Sequence, residues 1–245
     1  MHDAPALQLT GSTTLLPRMQ RIAEAYMANH ALRLVINGGC GTMRGYKALL
    51  DGTTDIAMAS GAVPEHLADL AAARGHFFNE TIVTRDALLP LVNGANPLQN
   101  LTQQQLRHIF SGRIANWRAV GGPDRPIEVL VGPPTGGVSA SWRRLLLGDE
   151  DTFTPQARVA GAHERLAHVA QQRWAISYIP RMALPTRRLK ALRVDGMADD
   201  AAPHDYPLRA PMMLVTLGRP APVAARFIAH ASSVGASSQA QAGHE

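Results

Sequence analysis

The sequence contains a single cysteine, Cys40, among its 245 residues. One thiol excludes an internal disulfide and any metal site built from several cysteines, and we predict neither a metal ion nor another cofactor. Aromatic residues make up only 5% of the chain, and no apolar run reaches the roughly 18 residues that a membrane-spanning helix needs. We therefore expect a globular protein with no segment inserted in a membrane.

The amino terminus lacks the features of a secretory signal. The segment MHDAPALQLTGSTT has neither the positively charged start nor the apolar stretch of such a signal. We therefore expect either a cytoplasmic protein or the mature form of an exported protein.

Catalytic and nucleic-acid-binding patterns are missing as well. The sequence has no HExxH, no GxSxG and no Gly-Lys-Ser/Thr phosphate loop, so we predict no enzyme and no catalytic residue. The net charge is +5, but the 24 basic residues are spread along the chain rather than gathered in a stripe. This distribution argues against nucleic acid as a partner and favours a small anion.

Predicted strands and helices alternate along the chain. Short apolar runs rich in β-formers predict strands, and apolar residues at helical spacing predict helices. Thr102 and Gln105 form a capping box that predicts a helix start. The predicted strands are 7–10, 32–36, 55–60, 87–92, 127–131, 174–179 and 211–217, and helices are predicted from 13 onward, up to 51–52, from 102, at 139–147 and at 162–172. This alternation with short connections predicts an α/β fold with a largely parallel sheet.

The tail beyond His230 is rich in Ala, Ser, Gly and Gln. Such a composition at a chain end predicts a frayed or disordered segment.

Three small, polar loops stand between a predicted strand and the first turn of a helix: 11–14, 38–42 and 135–139, here called the first, second and third loops. The first turn of a helix leaves backbone N–H groups unpaired and carries a partial positive charge, so it can hold an anion. Each loop taken alone is better explained as an ordinary helix cap. Three such loops in one place would surround a tetrahedral oxyanion.

Five segments, in order, resemble phosphate ABC transporter substrate-binding proteins. They are GSTTLLPRMQRIAEAY, NGGCGTMRGYKALLDGTTDIAMAS, NPLQNLTQQQLRHIFSGRIANWRAVGG, WAISYIP and YPLRAPMMLV. The resemblance covers about residues 8–217, and its most specific part is LTQQQLRHIFSGRIANWRAVGG.

The resemblance implies a two-lobed, periplasmic-binding-protein-like α/β fold of type II. Each lobe would be a mixed, mostly parallel sheet flanked by helices, with the anion held between the lobes. Residues 1–83 and 206–245 would form lobe 1, and 84–205 would form lobe 2. The hinge crossovers would then lie at 84–87 and 204–209, and closure would be a hinge motion.

The family's ligand-binding positions fall on the three loops and on the strand that follows the second loop. Carried over, they are Ser12, Thr13, Thr14, Cys40, Gly41, Thr42, Asp55, Ser60, Thr135, Gly137 and Ser139. Asp55 would accept a hydrogen bond from a protonated phosphate oxygen and so discriminate phosphate from sulfate, because a carboxylate has no proton to donate. The alternative is an aspartate that only caps the turn after Gly52.

Two positions depart from the family pattern. The third loop reads GPPTGGVSAS, with Pro133 near a position where the family often has an arginine, and Cys40 replaces a serine. Arg44, Arg143 or His163 could substitute for the arginine, or each could be an ordinary surface residue. Cys40 could be a weak donor, a reactive thiol at a helix start, or a small buried residue.

The resemblance implies a periplasmic monomer that captures inorganic phosphate and delivers it to an ABC permease. Two alternatives keep the fold: a receptor for another oxyanion or small anionic metabolite, and a sensor module without transport. A hydrolase of phosphate esters has the least support from the sequence.

Overall fold

The computed structural model describes residues 6–184, 188–198 and 206–241, with side chains described up to residue 234. The strands are β1 Ala6–Gly11, β2 Arg33–Asn37, β3 Ile56–Ala59, β4 Phe78–Asn93, β5 Asn100–Leu101, β6 Glu128–Val131, β7 Arg158–Val159, β8 Ala175–Pro180, β9 Leu189–Ala191, β10 Arg193–Val194 and β11 Arg209–Leu217. The helices are α1 Leu16–Met27, α2 Thr42–Leu50, α3 Glu65–Ala73, α4 Gln103–Ser111, α5 Gly137–Leu147, α6 Ala162–Gln171 and α7 Pro222–Gln241, and 3-10 turns cover Trp117–Val120 and Arg181–Ala183.

The described residues divide into two compact units. Unit 1 contains those within 1–85, 135–137 and 211–245, and unit 2 contains those within 86–134 and 138–210. The chain therefore changes unit inside β4 and inside β11, two and five residues after the lobe boundaries predicted at 83 and 205. The predicted hinge segment 84–87 lies within β4, and part of the segment 204–209 lies outside the described residues.

The sheet of unit 1 has the strand order β2-β1-β3-β11. β1 is parallel to both β2 and β3, whereas β11 is antiparallel to β3. α1 connects β1 to β2 and buries Met19, Ile22, Ala23 and Tyr26, which recur at helical spacing. The parallel strands place the loops that follow β1 and β3 at one edge of the sheet.

The core of unit 1 lies between this sheet and α2. Tyr46 and Leu49 of α2 are buried against Ala57 and Ala59 of β3 and Val215 of β11. This packing fixes the position of α2, and so the position of its amino end, against the sheet.

The sheet of unit 2 has the order β4-β8-β6-β7, with β9 added to β4. β8 and β7 are both parallel to β6, whereas β4 is antiparallel to β8 and β9. β5 and β10 form a separate parallel pair. The carboxyl ends of β6 and β8 therefore point the same way, and α5 begins shortly after β6.

Aromatic side chains fill the core of unit 2. Phe110, Trp142 and Tyr178 are fully buried, with the Trp142 and Tyr178 rings stacked at 4.8 Å and Phe110 set edge-on to Trp142 at 5.2 Å. Such contacts stabilise a core beyond the area that they bury. They fix β8 against the first turns of α5.

The predicted fold class is confirmed: each unit is a mixed sheet flanked by helices, and most strand pairs are parallel. The prediction for the tail was wrong, because α7 continues to Gln241. Ala, Ser and Gln are compatible with a helix whose inner face packs, and Phe227 and Ala231 of α7 are fully buried. No described helix combines the length and the apolar character needed to span a membrane.

Candidate anion-binding site

Three side-chain hydroxyls meet at one edge of the unit 1 sheet. Ser12 follows β1, Ser60 follows β3 and Thr42 is the first residue of α2. The Ser12 hydroxyl donates to Ser60 Oγ at 3.2 Å, and Ser60 Oγ lies 3.2 Å from Thr42 Oγ1. The Ser60 amide also donates to Thr42 Oγ1 at 3.1 Å. We call Ser12, Thr42 and Ser60 the hydroxyl cluster.

Glycines let the first two loops approach each other. A Cβ on Gly11 would lie 2.3 Å from the carbonyl oxygen of Met58, the same oxygen that accepts the Ser12 amide at 2.8 Å. Gly41 has a φ of 85°, which favours glycine, and its amide donates to the Gly11 carbonyl at 3.1 Å. The backbone thereby brings the start of α2 against the end of β1.

The third loop joins the same cluster through Gly137. Residues 135–137 belong to unit 1, and a Cβ on Gly137 would lie 2.4 Å from Thr42 Oγ1 and 2.7 Å from Ser60 Oγ. A Cβ on Gly61 would lie 2.7 Å from the Gly137 carbonyl oxygen. The absence of side chains at these two glycines allows the third loop to pack directly on the hydroxyls.

The amino end of α2 adds electrostatic attraction for an anion. Its first-turn amides lack partners within the helix, and the aligned peptide dipoles place partial positive charge there. The first turn contains no acidic residue. Hydroxyls and a helix amino end together can hold an oxyanion without a formal cation.

The remaining loop residues surround the cluster. Thr13 is exposed and Thr14 half-buried in the turn before α1, which begins at Leu16 rather than at Thr13 as predicted. Cys40 Sγ lies 3.8 Å from the Gly11 carbonyl oxygen, and Thr135 is exposed. Both threonines of the first loop are therefore accessible to a ligand.

The structure places Asp55 away from the hydroxyl cluster. Asp55 immediately precedes β3, whereas Ser60 immediately follows it, and five residue steps along a strand span about 16 Å. The Asp55 carboxylate instead accepts a hydrogen bond from the Gln8 amide at 2.8 Å. This exposed aspartate therefore makes a local contact at the amino-terminal end of β3. Such a local role resembles the capping role that was the alternative for Asp55.

The other predicted residues lie on α2 of unit 1 and on α5 and α6 of unit 2. Arg44 is exposed on α2, while His163 and Arg143 are exposed on helices of unit 2. Ser139 is buried in unit 2, where its hydroxyl donates to the Gly132 carbonyl at 2.9 Å and lies 2.7 Å from the Tyr178 hydroxyl.

Two polar residues that the sequence analysis did not single out, Arg165 and Tyr178, are buried in unit 2. Burial raises the pKa of the Tyr178 hydroxyl, and burial lowers the pKa of the Arg165 guanidinium, whose Nη1 donates to the Ser177 hydroxyl at 2.6 Å. Two signals in the sequence indicated buried polar groups here. One is the pair of polar residues inside the apolar strand WAISYIP, and the other is an arginine four residues before Val169 on the buried face of α6.

Comparisons with known proteins agree with this architecture. A family model described as a PBP superfamily domain matches residues 2–233. Protein SphX of Synechococcus elongatus is 30% identical over 149 residues, which cover 58% of this chain. The phosphate-binding protein PstS of Bacillus subtilis is 25% identical over 239 residues, which cover 93% of this chain and 75% of that protein.

A solved structure is similar over almost the whole chain. The ABC-type phosphate transport receptor from Vibrio cholerae has a TM-score of 0.74 and 27% identity, with 96% of each chain covered. The chain spans less than half of the length of the first curated relatives that it matches: 44% of SphX and 38% of a phosphate-binding protein PstS from Staphylococcus epidermidis.

Proposed function

The chain belongs to the PBP superfamily domain family, and from this premise we propose that it is a solute-binding protein that captures inorganic phosphate for an ABC importer. The observation that carries the proposal is the hydroxyl cluster, in which Ser12, Thr42 and Ser60 converge from three separate segments of the chain. Hydroxyls can donate to the oxygens of a tetrahedral anion from several directions.

The surroundings of the cluster support an anionic ligand. The amino end of α2 contributes partial positive charge at Thr42, and Gly137 and Gly61 leave backbone groups rather than side chains beside the hydroxyls. The net charge of +5 also attracts an anion, over longer distances.

The relatives support phosphate as the ligand and an importer as the destination. The Bacillus subtilis relative is a phosphate-binding protein, and the Vibrio cholerae relative is an ABC-type phosphate transport receptor. By this likeness the protein acts in the periplasm as a monomer, delivers phosphate to an ABC permease, and releases its ligand chemically unchanged. The position of the ligand between two lobes stays a prediction from the family resemblance.

A different oxyanion is the second candidate. Asp55 lies away from the hydroxyl cluster, so it does not account for discrimination between phosphate and sulfate. Pro133 in the third loop and Cys40 in the second further favour testing other anions, because neither residue supplies a strong donor.

Isothermal titration of anion-stripped protein tests the proposal. Phosphate is expected to bind at one saturable site at neutral pH, and sulfate and molybdate are expected to bind more weakly. A folded protein that gives no heat with phosphate contradicts phosphate capture, and tighter binding of sulfate or molybdate identifies the second candidate instead.

Threonine-to-valine variants test whether the hydroxyl cluster is the site. Thr42→Val removes a cluster hydroxyl at nearly constant volume and is expected to weaken phosphate binding at least tenfold. Thr53→Val makes the same change at an exposed turn residue, whose hydroxyl donates to the Ala48 carbonyl at 3.3 Å, and is expected to leave the affinity unchanged. Equal affinities in the two variants would place the site elsewhere.

A further inference from the structure

A cavity within unit 2 lies where β6 ends and α5 begins. Its volume is about 490 Å³, which is within the size range of pockets that hold small organic ligands. Its walls come from the end of β6, the first turns of α5, the segment 152–157 and the end of β7. All the residues that line it belong to unit 2, and none belongs to the hydroxyl cluster.

Most of the cavity wall is apolar. Val131, Pro134, Phe153, Pro155 and Val159 are among the residues that line it. Val159 is 57% exposed, which is unusual for a large hydrophobic residue. A ligand with an apolar body would remove this surface from water, and that removal favours binding.

The segment 152–157 is held in place against the core of unit 2. The Thr154 amide donates to the Phe110 carbonyl at 2.8 Å, and the Ala157 amide donates to the Thr154 carbonyl at 2.9 Å. The ring of Phe153 lies 6.3 Å from the buried ring of Phe110. This wall is therefore formed before a ligand arrives, so binding does not have to order it.

Arg143 gives the cavity a positive charge. Among the described residues that line the cavity, it is the one with a charged side chain. It lies one helical turn after Ser139 and Ala140, which line the same cavity. Within the part of the chain that the structure describes, no side chain forms an ion pair with this exposed arginine. Its guanidinium is free to bind a carboxylate with two parallel hydrogen bonds.

We propose that this cavity is a second ligand site, which takes an aromatic carboxylate with its ring against the apolar wall and its carboxylate on Arg143. Charge complementarity selects an anion, because the cavity offers a cation and no described acidic residue lines it. Inorganic phosphate does not match the site, since it has no apolar part to cover Phe153 and Val159. The proposal gives Arg143 a role other than that of replacing an arginine in the third loop.

Titration calorimetry with 2-naphthoate, a two-ring aromatic carboxylate, tests the site. The uncharged 2-naphthalenemethanol is the matching ligand without the carboxylate. Arg143→Met removes the charge and keeps an apolar side chain, and Arg144→Met is the matched control at the next exposed residue of α5, which does not line the cavity. Ala140→Phe fills the cavity from an exposed helix position.

We expect one saturable site for 2-naphthoate in the wild type and weaker binding of 2-naphthalenemethanol. Arg143→Met should weaken 2-naphthoate binding by roughly fivefold or more and leave 2-naphthalenemethanol binding unchanged, whereas Arg144→Met should change neither. Ala140→Phe should abolish the binding of both ligands. Thr42→Val, in the hydroxyl cluster, should leave 2-naphthoate binding unchanged.

Three results would overturn the inference: no saturable binding of 2-naphthoate to the folded wild type, equal affinities in Arg143→Met and Arg144→Met, or a loss of 2-naphthoate binding in Thr42→Val. If Ala140→Phe does not fold, the comparison of the two arginine variants decides. Phosphate binding is measured separately, so its failure contradicts the proposed function and not this second site.

Discussion

At the residue scale, Gly137 has no space for a side chain beside the hydroxyl cluster. A Cβ at this position would lie 2.4 Å from Thr42 Oγ1 and 2.7 Å from Ser60 Oγ, so Gly137→Ala must displace the third loop or the hydroxyls. We expect phosphate affinity to fall at least tenfold and the free energy of unfolding to fall by about 1–3 kcal/mol, as for other overpacked sites. Titration calorimetry and urea unfolding measure the two effects.

Gly161→Ala is the control for this substitution. Gly161 has a φ of −62°, and a Cβ there would meet nothing within 4 Å. Its phosphate affinity should match that of the wild type, while its stability should fall only by the cost of alanine at a helix N-cap. A tolerated Gly137→Ala would show that the third loop does not need to pack on the hydroxyls.

The raised pKa of the Asp86 carboxyl predicts that the protein loses stability as the pH rises. Burial is the largest cause that raises the pKa of its carboxyl from 3.8 to about 6, against the opposing effects of the Met182 amide, Arg181 and Arg209. The folded protein therefore binds the proton more tightly than the unfolded chain does, so this contribution to stability is present below pH 3.8 and is lost as the pH rises through about 6. A shift of two units corresponds to about 3 kcal/mol.

Asp86→Asn should remove this dependence. Relative to the wild type, the variant should gain up to about 3 kcal/mol of unfolding free energy near neutral pH and nothing at the acidic end, in urea titrations across the range. Asp69→Asn, at an exposed position of α3, serves as the control. A variant whose difference from the wild type is the same at every pH would contradict the argument.

At the scale of elements, the start of α4 has a complete capping box. The Thr102 hydroxyl accepts the Gln105 amide at 3.0 Å, and Gln105 Oε1 accepts the Thr102 amide at 2.9 Å. Thr102→Ala should lower the free energy of unfolding by about 1 kcal/mol, whereas the exposed Gln104→Ala should leave it nearly unchanged. Equal unfolding curves for the two variants would show that this cap contributes nothing.

Local patterns predicted most elements because their causes are local. The capping box at Thr102 is confirmed, and the predicted strand at 127–131 is β6 Glu128–Val131. The short strands β5, β7, β9 and β10 were missed, because two or three residues carry no periodicity. The tail was mispredicted because the packing of Phe227 depends on distant residues rather than on local composition.

The residues of the candidate site that lie at strand ends could be predicted from the sequence. The residues whose positions depend on packing could not. The loops that contain Ser12 and Thr42 were predicted from the strand, small turn and helix pattern, and the structure brings these two residues together with Ser60. Asp55 and Ser60 lie at opposite ends of β3, which a block match alone does not show. Arg165 was missed because only the fold reveals that an arginine of α6 is buried.

At the scale of the whole molecule, ligand binding should stabilise the protein by mass action. Phosphate at 100 times its dissociation constant should add about 2.7 kcal/mol, which for a chain of this size corresponds to a rise in melting temperature of roughly 5–10 °C. Differential scanning calorimetry over a range of phosphate concentrations measures this rise. Thr42→Val should show a smaller rise at the same concentration. An equal rise would show that the stabilisation does not depend on the hydroxyl cluster.

The most direct test is a crystal structure of the protein grown with arsenate, a tetrahedral analogue of phosphate whose arsenic atom is located by anomalous scattering. We predict one strong anomalous peak beside the hydroxyl cluster, with arsenate oxygens within hydrogen-bonding distance of Thr42 Oγ1 or Ser60 Oγ. A fully occupied peak elsewhere, or no peak in crystals of protein that titrates with phosphate, would contradict the assignment of this site.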